Sequence, residues 1–271
     1  MFKGFLCPRN DQKLTPKYCL MECDNWCVPP ILLKEALDWE DRGKEIHISS
    51  VAGNCLRQEY YKATRDWWAY PEDLYQLIRG SLLARIAESF KKLKLGKGEE
   101  HFVEQPVSYT FADAERGEIT IKGRYDHFYP KRGLLIDYKT TSDWGLKYLC
   151  STSKDSKFDK WSYVKQVNLY AYCLRKLGYM VLRQELETFT MTQGKTTKIE
   201  HIYTDEECEK LFQENGRILW DAFNKDLLPP AADDHNRQWL CSGRKKNYCV
   251  FCEPKFCDGK TCEGWKKMGE E

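Results

Sequence analysis

Two short apolar runs, residues 118–128 and 133–138, each carry an aspartate near their end, and a turn marked by Pro130 and Gly133 separates them. Apolar runs that alternate or cluster between Pro and Gly read as neighbouring strands. The chain is therefore expected to bring two residues into one cleft: Asp126, in Gly123-Arg124-Tyr125-Asp126, and Asp137, in Leu134-Leu135-Ile136-Asp137-Tyr138-Lys139. Two carboxylates so placed can hold a divalent cation. Lys139 follows Asp137 by two residues, so its side chain leaves the strand on the same face. Carboxylate, carboxylate and amine around one hard metal is the set that phosphodiester hydrolysis needs. The oxygens bind Mg²⁺ or Mn²⁺, the metal lowers the pKa of a water, and the lysine positions that water or offsets charge. Asp-x-Lys also occurs on strand faces that are merely solvated. Here Leu134-Leu135-Ile136 runs straight into Asp137, and a carboxylate at the rim of a core is expected to be paired or metal-bound.

Downstream, residues 164–177 read as a helix on which Gln166 and Tyr170, four apart, share one face. Gly123-Arg124-Tyr125-Asp126, Ile136-Asp137-Tyr138-Lys139-Thr140-Thr141 and Lys165-Gln166-x-x-x-Tyr170 resemble, in this order, motifs II, III and IV of the RecB-type nucleases of the PD-(D/E)xK superfamily. The resemblance implies an α/β, restriction-endonuclease-like mixed sheet flanked by helices. It also implies that Asp126, Asp137 and the Tyr138 carbonyl bind metal, that Lys139 orients the attacking water, and that Gln166 and Tyr170 line the site and the DNA path. A helix packing its Leu and Tyr residues on the sheet is expected in any case.

Thirteen cysteines lie mostly at the two ends. No basic start followed by a long apolar run opens the chain, so metal ligation is expected rather than a secreted disulfide framework. Cys249-x-x-Cys252-x-x-x-x-Cys257, with Asn54-Cys55-Leu56-Arg57-x-x-Tyr60-Tyr61 far upstream, resembles the iron–sulfur nucleases, among them the CRISPR-associated RecB-like exonucleases and the AddB-type helicase-nucleases. That resemblance implies a 4Fe-4S cluster on Cys55, Cys249, Cys252 and Cys257, a staple closing a loop of roughly two hundred residues. The last spacing is one residue shorter than the family's, so Cys241 or Cys262 is a candidate to replace one of the three. Zinc is the rival occupant, since four thiolates suit both.

A second group, Cys7, Cys19, Cys23 and Cys27, lies outside the resemblance. Three-residue gaps between thiolates, beside Pro8, Pro16, Pro29 and Pro30, suggest a small metal-bound knuckle with little core of its own, with zinc the expected ion. Four reduced cysteines in a flexible arm is the other reading, against which stands the reactivity of so many exposed thiols.

One departure bears on turnover. The family's first motif usually reads Gly-x-x-x-His, and here Gly80-Ser81-Leu82-Leu83 is followed by Ala84 where the metal-ligating histidine is expected. Either the natural protein runs without that ligand or the change is an inactivating one. Glu88, one turn along, is a substitute ligand or a solvated carboxylate.

With 271 residues and 42% hydrophobic content, one large domain with appendages is expected: an arm and helix over 1–50, the nuclease core over 51–226 and a cluster-binding tail over 227–271, so that both ends are cysteine-rich, metal-bound segments. Helices are expected over 30–42, 56–64, 71–93, 164–177 and 204–224. Strands are expected over 104–112, 118–129, 133–138, 179–190 and 196–203, and an irregular insert over 143–160. No apolar run reaches the length of a membrane span, so a cytoplasmic protein is expected. Net charge is only +2, and local basic runs such as Lys131-Arg132 are the candidates for phosphate contact. The expected activity is metal-dependent hydrolysis of DNA, exonucleolytic on single-stranded ends. CRISPR adaptation or DNA recombination and repair, with a CRISPR integrase or recombination proteins as partners, follows from resemblance alone. The competing readings are a DNA-binding adaptor that has lost turnover with its histidine, and a structural zinc protein whose Asp-x-Lys is incidental.

Overall fold

The computed structural model describes residues 2–24, 27–37, 43–53, 55–69, 99–141, 146, 161–190 and 194–230. The expected helix over 71–93 with Ala84 and Glu88, nearly all of the insert over 143–160, and Cys241, Cys249, Cys252, Cys257 and Cys262 lie outside the described residues.

A five-stranded mixed sheet, in the order of the chain, carries the molecule: β4 (Phe102–Asp113), β5 (Gly117–Tyr129), β6 (Leu134–Thr140), β7 (Arg183–Phe189) and β8 (Gly194–Lys198). The β6–β7 pair is parallel and the other three are antiparallel. The parallel step requires a crossover, and α5 (Trp161–Lys176) lies on it. Helices α3 (Ile48–Val51), α4 (Leu56–Thr64), α5 and α6 (Asp205–Lys225) close one core with the sheet, built on Ile48, Ile121, Phe128, Leu135, Tyr172 and Phe212. Among the described residues, no helix is long and apolar enough to cross a membrane.

Two devices set the sheet's geometry. At the tip of the β4–β5 hairpin, Asp113 Oδ1 accepts from Glu115 N and Arg116 N at 3.1 Å each. Arg116 then reaches α6 with a bidentate pair, Nε to Asp221 Oδ1 at 3.0 Å and Nη2 to Asp221 Oδ2 at 2.6 Å. Arg217 of α6 returns a bond to Asp113 Oδ2 at 2.7 Å, so the hairpin and the helix are locked to each other. Between β5 and β6 the chain makes a 3₁₀ turn over Pro130–Arg132 and leaves it through Gly133 at φ 55°. That conformation favours glycine, and a Cβ there would stand 2.9 Å from the Met180 carbonyl oxygen. The Gly133 carbonyl accepts from both Leu182 N (2.8 Å) and Arg183 N (3.0 Å), which starts β7 beside β6.

That junction explains why the strand expected from residue 179 begins at Arg183. Residues 179–182 are irregular instead, with the Tyr179 ring against Phe102 and Phe128, while Met180 and Leu182 stay exposed. The last strand likewise ends at Lys198 rather than 203. Asn168 of α5 donates to His201 O (3.0 Å) and accepts from Tyr203 N (2.9 Å), so a buried side chain takes the backbone groups that a ladder would have used. Helix α6 starts as expected, with a capping box between Thr204 and Glu207.

The N-terminal segment forms its own small sheet. β1 (Phe2–Leu6) pairs antiparallel with β2 (Lys13–Leu14) and parallel with β3 (Trp67–Ala69), which follows α4. Helix α1 (Pro16–Met21) is capped by Thr15 with Pro at its first turn, and α2 (Pro30–Leu37) follows.

Gly123 of β5 lets two helices come close. A Cβ there would lie 2.7 Å from Ile48 Cδ1 and 2.8 Å from Tyr170 Cε1. Both neighbours are buried, so neither can swing away. Gly123→Ala is expected to destabilise the fold by about 1–3 kcal/mol, read as a lower urea midpoint. An unchanged midpoint would show that the helices do not press on β5 as described.

Candidate active site

The β5–β6 ladder stops at His127↔Ile136. The next residues in register are Asp126 and Asp137, and here a side chain takes over from the main chain. Asp126 Oδ2 accepts the Tyr138 N–H at 2.6 Å. Opposed positions of an antiparallel pair share a face, so the two carboxylates stand together. Lys139, two residues on, places Nζ 2.5 Å from Asp137 Oδ2 and 5.3 Å from the centre of the Tyr163 ring. Asp137 is 1% exposed; its Oδ2 is held by the Lys139 ammonium, and its Oδ1 has no hydrogen-bond partner among the described residues. Gln166 Nε2 donates to Tyr170 Oη at 3.3 Å, one turn apart on α5. Tyr170 in turn packs at Gly123. The structure thus brings Asp126, Asp137, Lys139, Gln166 and Tyr170 into one neighbourhood. Tyr138 gives its N–H to Asp126, and its ring leaves on the opposite face, where Oη lies 3.1 Å from His127 Nδ1.

Charge in this pocket is out of balance. Burial, and then the Asp137 charge, push the Asp126 carboxyl up to about 7. Burial also raises Asp137, with Lys139 opposing. Burial alone would lower the Lys139 ammonium, but Asp137 and Asp126 together hold it above its ordinary value. Burial, then the Asp137 charge, raise Tyr170 as well. Two ionised carboxylates against one ammonium leave a buried negative charge, which is unfavourable unless a cation joins them. Asp137, with unfilled acceptor sites, suits such a cation, so the donors present fit a hard divalent ion.

Two residues of the site were not anticipated. Glu104 sits between the register pairs Val103↔His127 and Gln105↔Tyr125, hence across from Asp126, and its charge adds to the rise of the Asp126 pKa. It is buried, pairs with Arg124 Nε at 2.7 Å, and has φ 51°, unusual for a residue with a side chain. At the same level β5 loses its two-residue alternation, because Tyr125 and Phe128 belong to one core cluster though an odd number of residues apart. The only signal in the sequence was a Glu inside an apolar strand. Thr188 is the second. It pairs in register with Lys139, is fully buried, and its Oγ1 has no partner among the described residues. Of the basic runs, Arg132 is engaged by Glu99.

Cys55 occupies the N-cap position of α4. The same helix holds the base of the C-terminal segment: Arg57 Nε donates to Pro229 O at 2.8 Å, and Tyr60 Oη bonds the Asp226 carboxylate. Cys249, Cys252 and Cys257 lie outside the described residues. Cys7, Cys19, Cys23 and Cys27 border one cavity. Burial, then the neighbouring Cys23, Cys27 and Cys7, push the Cys19 thiol up to about 11. Among the described residues, no group of three His, Cys, Asp or Glu side chains is gathered closely enough to hold a metal ion.

No protein-family model and no curated protein matches the chain. A solved structure described as "Crystal structure of SSO0001" superimposes with a TM-score of 0.49 at 17% sequence identity, covering 82% of this chain and 92% of that one. The site therefore stands on its own geometry.

Without a divalent ion, the native aspartates bind protons more tightly than the unfolded chain, so stability falls as pH rises. The loss runs from the unfolded carboxylate value, about 4, through about 7, where Asp126 titrates in the fold. His127, lowered to about 4 by burial and then His101, acts in the opposite sense. Its effect ends near the unfolded imidazole value of about 6.5. In EDTA, stability is expected to drop on the order of 1 kcal/mol between about pH 6.5 and pH 8. Asp126→Asn flattens this slope, and Mn²⁺ raises Tm more at the higher pH. A Tm that climbs over this window would contradict the carboxylate pair.

Proposed function

We propose that the chain is a divalent-metal-dependent deoxyribonuclease of restriction-endonuclease-like fold, acting exonucleolytically on single-stranded DNA ends. One observation carries this: Asp126 and Asp137 face each other where the β5–β6 ladder stops, with Lys139 paired to Asp137 Oδ2 and Asp137 Oδ1 without a hydrogen-bond partner among the described residues. Asp126, Asp137 and the Tyr138 carbonyl would hold Mg²⁺ or Mn²⁺, which when bound supplies an activated water and stabilises charge on the phosphoryl oxygens. Lys139 is anchored by Asp137, so its ammonium is aimed rather than mobile. It donates to the attacking water or to the developing negative charge. Tyr170, wedged at Gly123, braces the Gln166 amide, and Gln166 contacts the DNA strand.

The 4Fe-4S cluster on Cys55, Cys249, Cys252 and Cys257 is part of the same reading. Its support is that Arg57 and Tyr60 hold the base of the tail on the helix that Cys55 begins. A place in CRISPR adaptation or recombination, beside an integrase or recombination protein, comes from resemblance.

End-labelled single-stranded oligonucleotides, incubated with Mn²⁺, Mg²⁺ or EDTA, test the activity. Metal-dependent shortening is expected, with Lys139→Ala lowering the rate about 10²–10⁴-fold and Asp137→Ala abolishing it. Cleavage that survives Asp137→Ala overturns the assignment. Binding without turnover, restored by Ala84→His, would instead establish the adaptor reading. For the cluster, anaerobically purified protein is expected to be brown, with a broad band near about 400 nm and roughly four irons; colourless protein holding only zinc rejects it.

A further inference from the structure

We propose that Cys7, Cys19, Cys23 and Cys27 bind a single zinc ion that holds the N-terminal segment together, a site separate from both the carboxylate pair and the Cys55 group. The four thiols come from distinct pieces of backbone. Cys7 follows β1 and opens a tight turn, its carbonyl accepting from Asn10 N (3.3 Å) and Asp11 N (2.8 Å) while its N–H donates to Gln12 O (2.9 Å). Cys19 lies within α1, Cys23 just past its end, and Cys27 ahead of α2. All four nonetheless border the same cavity, of about 20 Å³, with Phe5 and Leu33 as part of its wall. A space of that size takes one water-sized occupant, which suits a single ion.

The chemistry of the wall selects the occupant. Its polar donors are sulfurs, with no carboxylate or imidazole among the lining residues. Four thiolates form the tetrahedral soft set of structural zinc sites, at about 2.3 Å from the ion, and they reject Mg²⁺ and Ca²⁺. The segment also needs such a link. Among the described residues of 2–37, the buried apolar side chains include Phe5, Pro16, Val28, Leu33 and Ala36, and a piece below about 40 residues seldom folds on its core alone without a metal or disulfides. One ion drawn into the cavity would tie the β1–β2 hairpin, α1 and the start of α2 to a common point. Through the parallel β1–β3 pairing, that point steadies the end of α4.

Zinc and iron quantified together on full-length wild type and on Cys23→Ser test the site. Cys23→Ser is expected to lose about one zinc per chain with iron unchanged. Because the readout is a difference, it holds even where zinc rather than a cluster occupies the Cys55 group. A second measurement needs no variant. On native wild-type protein, iodoacetamide followed by peptide mapping is expected to leave Cys7, Cys19, Cys23 and Cys27 unlabelled until a zinc chelator is added, when all four become labelled together. Zinc content unchanged in Cys23→Ser, iron lost in its place, four thiols labelled at once without chelator, or peptides joined by disulfides would each overturn the proposal.

Discussion

The bond from the Tyr138 N–H to Asp126 Oδ2, where a carboxylate replaces a main-chain acceptor, is the contact on which the site's arrangement depends. It ends the β5–β6 ladder at His127↔Ile136 and holds Asp126 beside Asp137. Other features of the sheet serve that meeting. The left-handed Gly133 turns β6 back along β5 and, through its carbonyl, starts β7. The left-handed Glu104 lies across from Asp126 at the level where β5 changes which side faces the core. The Arg116–Asp221 and Arg217–Asp113 contacts fix the far end of the hairpin to α6.

Placing two carboxylates together in a core is electrostatically unfavourable, and the protein offsets only part of it. Lys139 balances one charge, and the Tyr138 N–H eases another. What remains is the raised proton affinity of Asp126 and Asp137. A site tuned for fold stability would use apolar residues here. A buried charge left uncompensated beside Asp137 Oδ1, which accepts no hydrogen bond among the described residues, is the feature on which the proposed cation site rests. Packing supports it from behind: Gly123 admits the Tyr170 ring, and Tyr170 orients Gln166. The Cys55 helix is held elsewhere, by Arg57 and Tyr60, to the start of the tail.

Much of this was legible in the chain. The strands bearing Asp126 and Asp137 were expected over 118–129 and 133–138 and are found at Gly117–Tyr129 and Leu134–Thr140, because apolar patterning and the Pro130/Gly133 turn act within a few residues. The same locality made the Thr204 cap and the Gln166–Tyr170 helix face readable. The expected strands over 179–190 and 196–203 proved shorter. Their missing residues are claimed by the Gly133 carbonyl and the Asn168 side chain, acceptors and donors tens of residues away.

By itself, then, the sequence determined the two strands, the turn between them, and the carboxylates and cysteines that the fold has to place. Composition, alternation and turn chemistry are short-range properties that a linear reading can follow. Tertiary structure alone decided that Glu104 stands across from Asp126, that Thr188 lies beside Lys139, that Gly123 is pressed between Ile48 and Tyr170, and that four scattered thiols share one cavity. Each of these depends on the register of strands and on the packing of helices far apart in the chain. No local pattern encodes them, since they exist only once the sheet has closed its core.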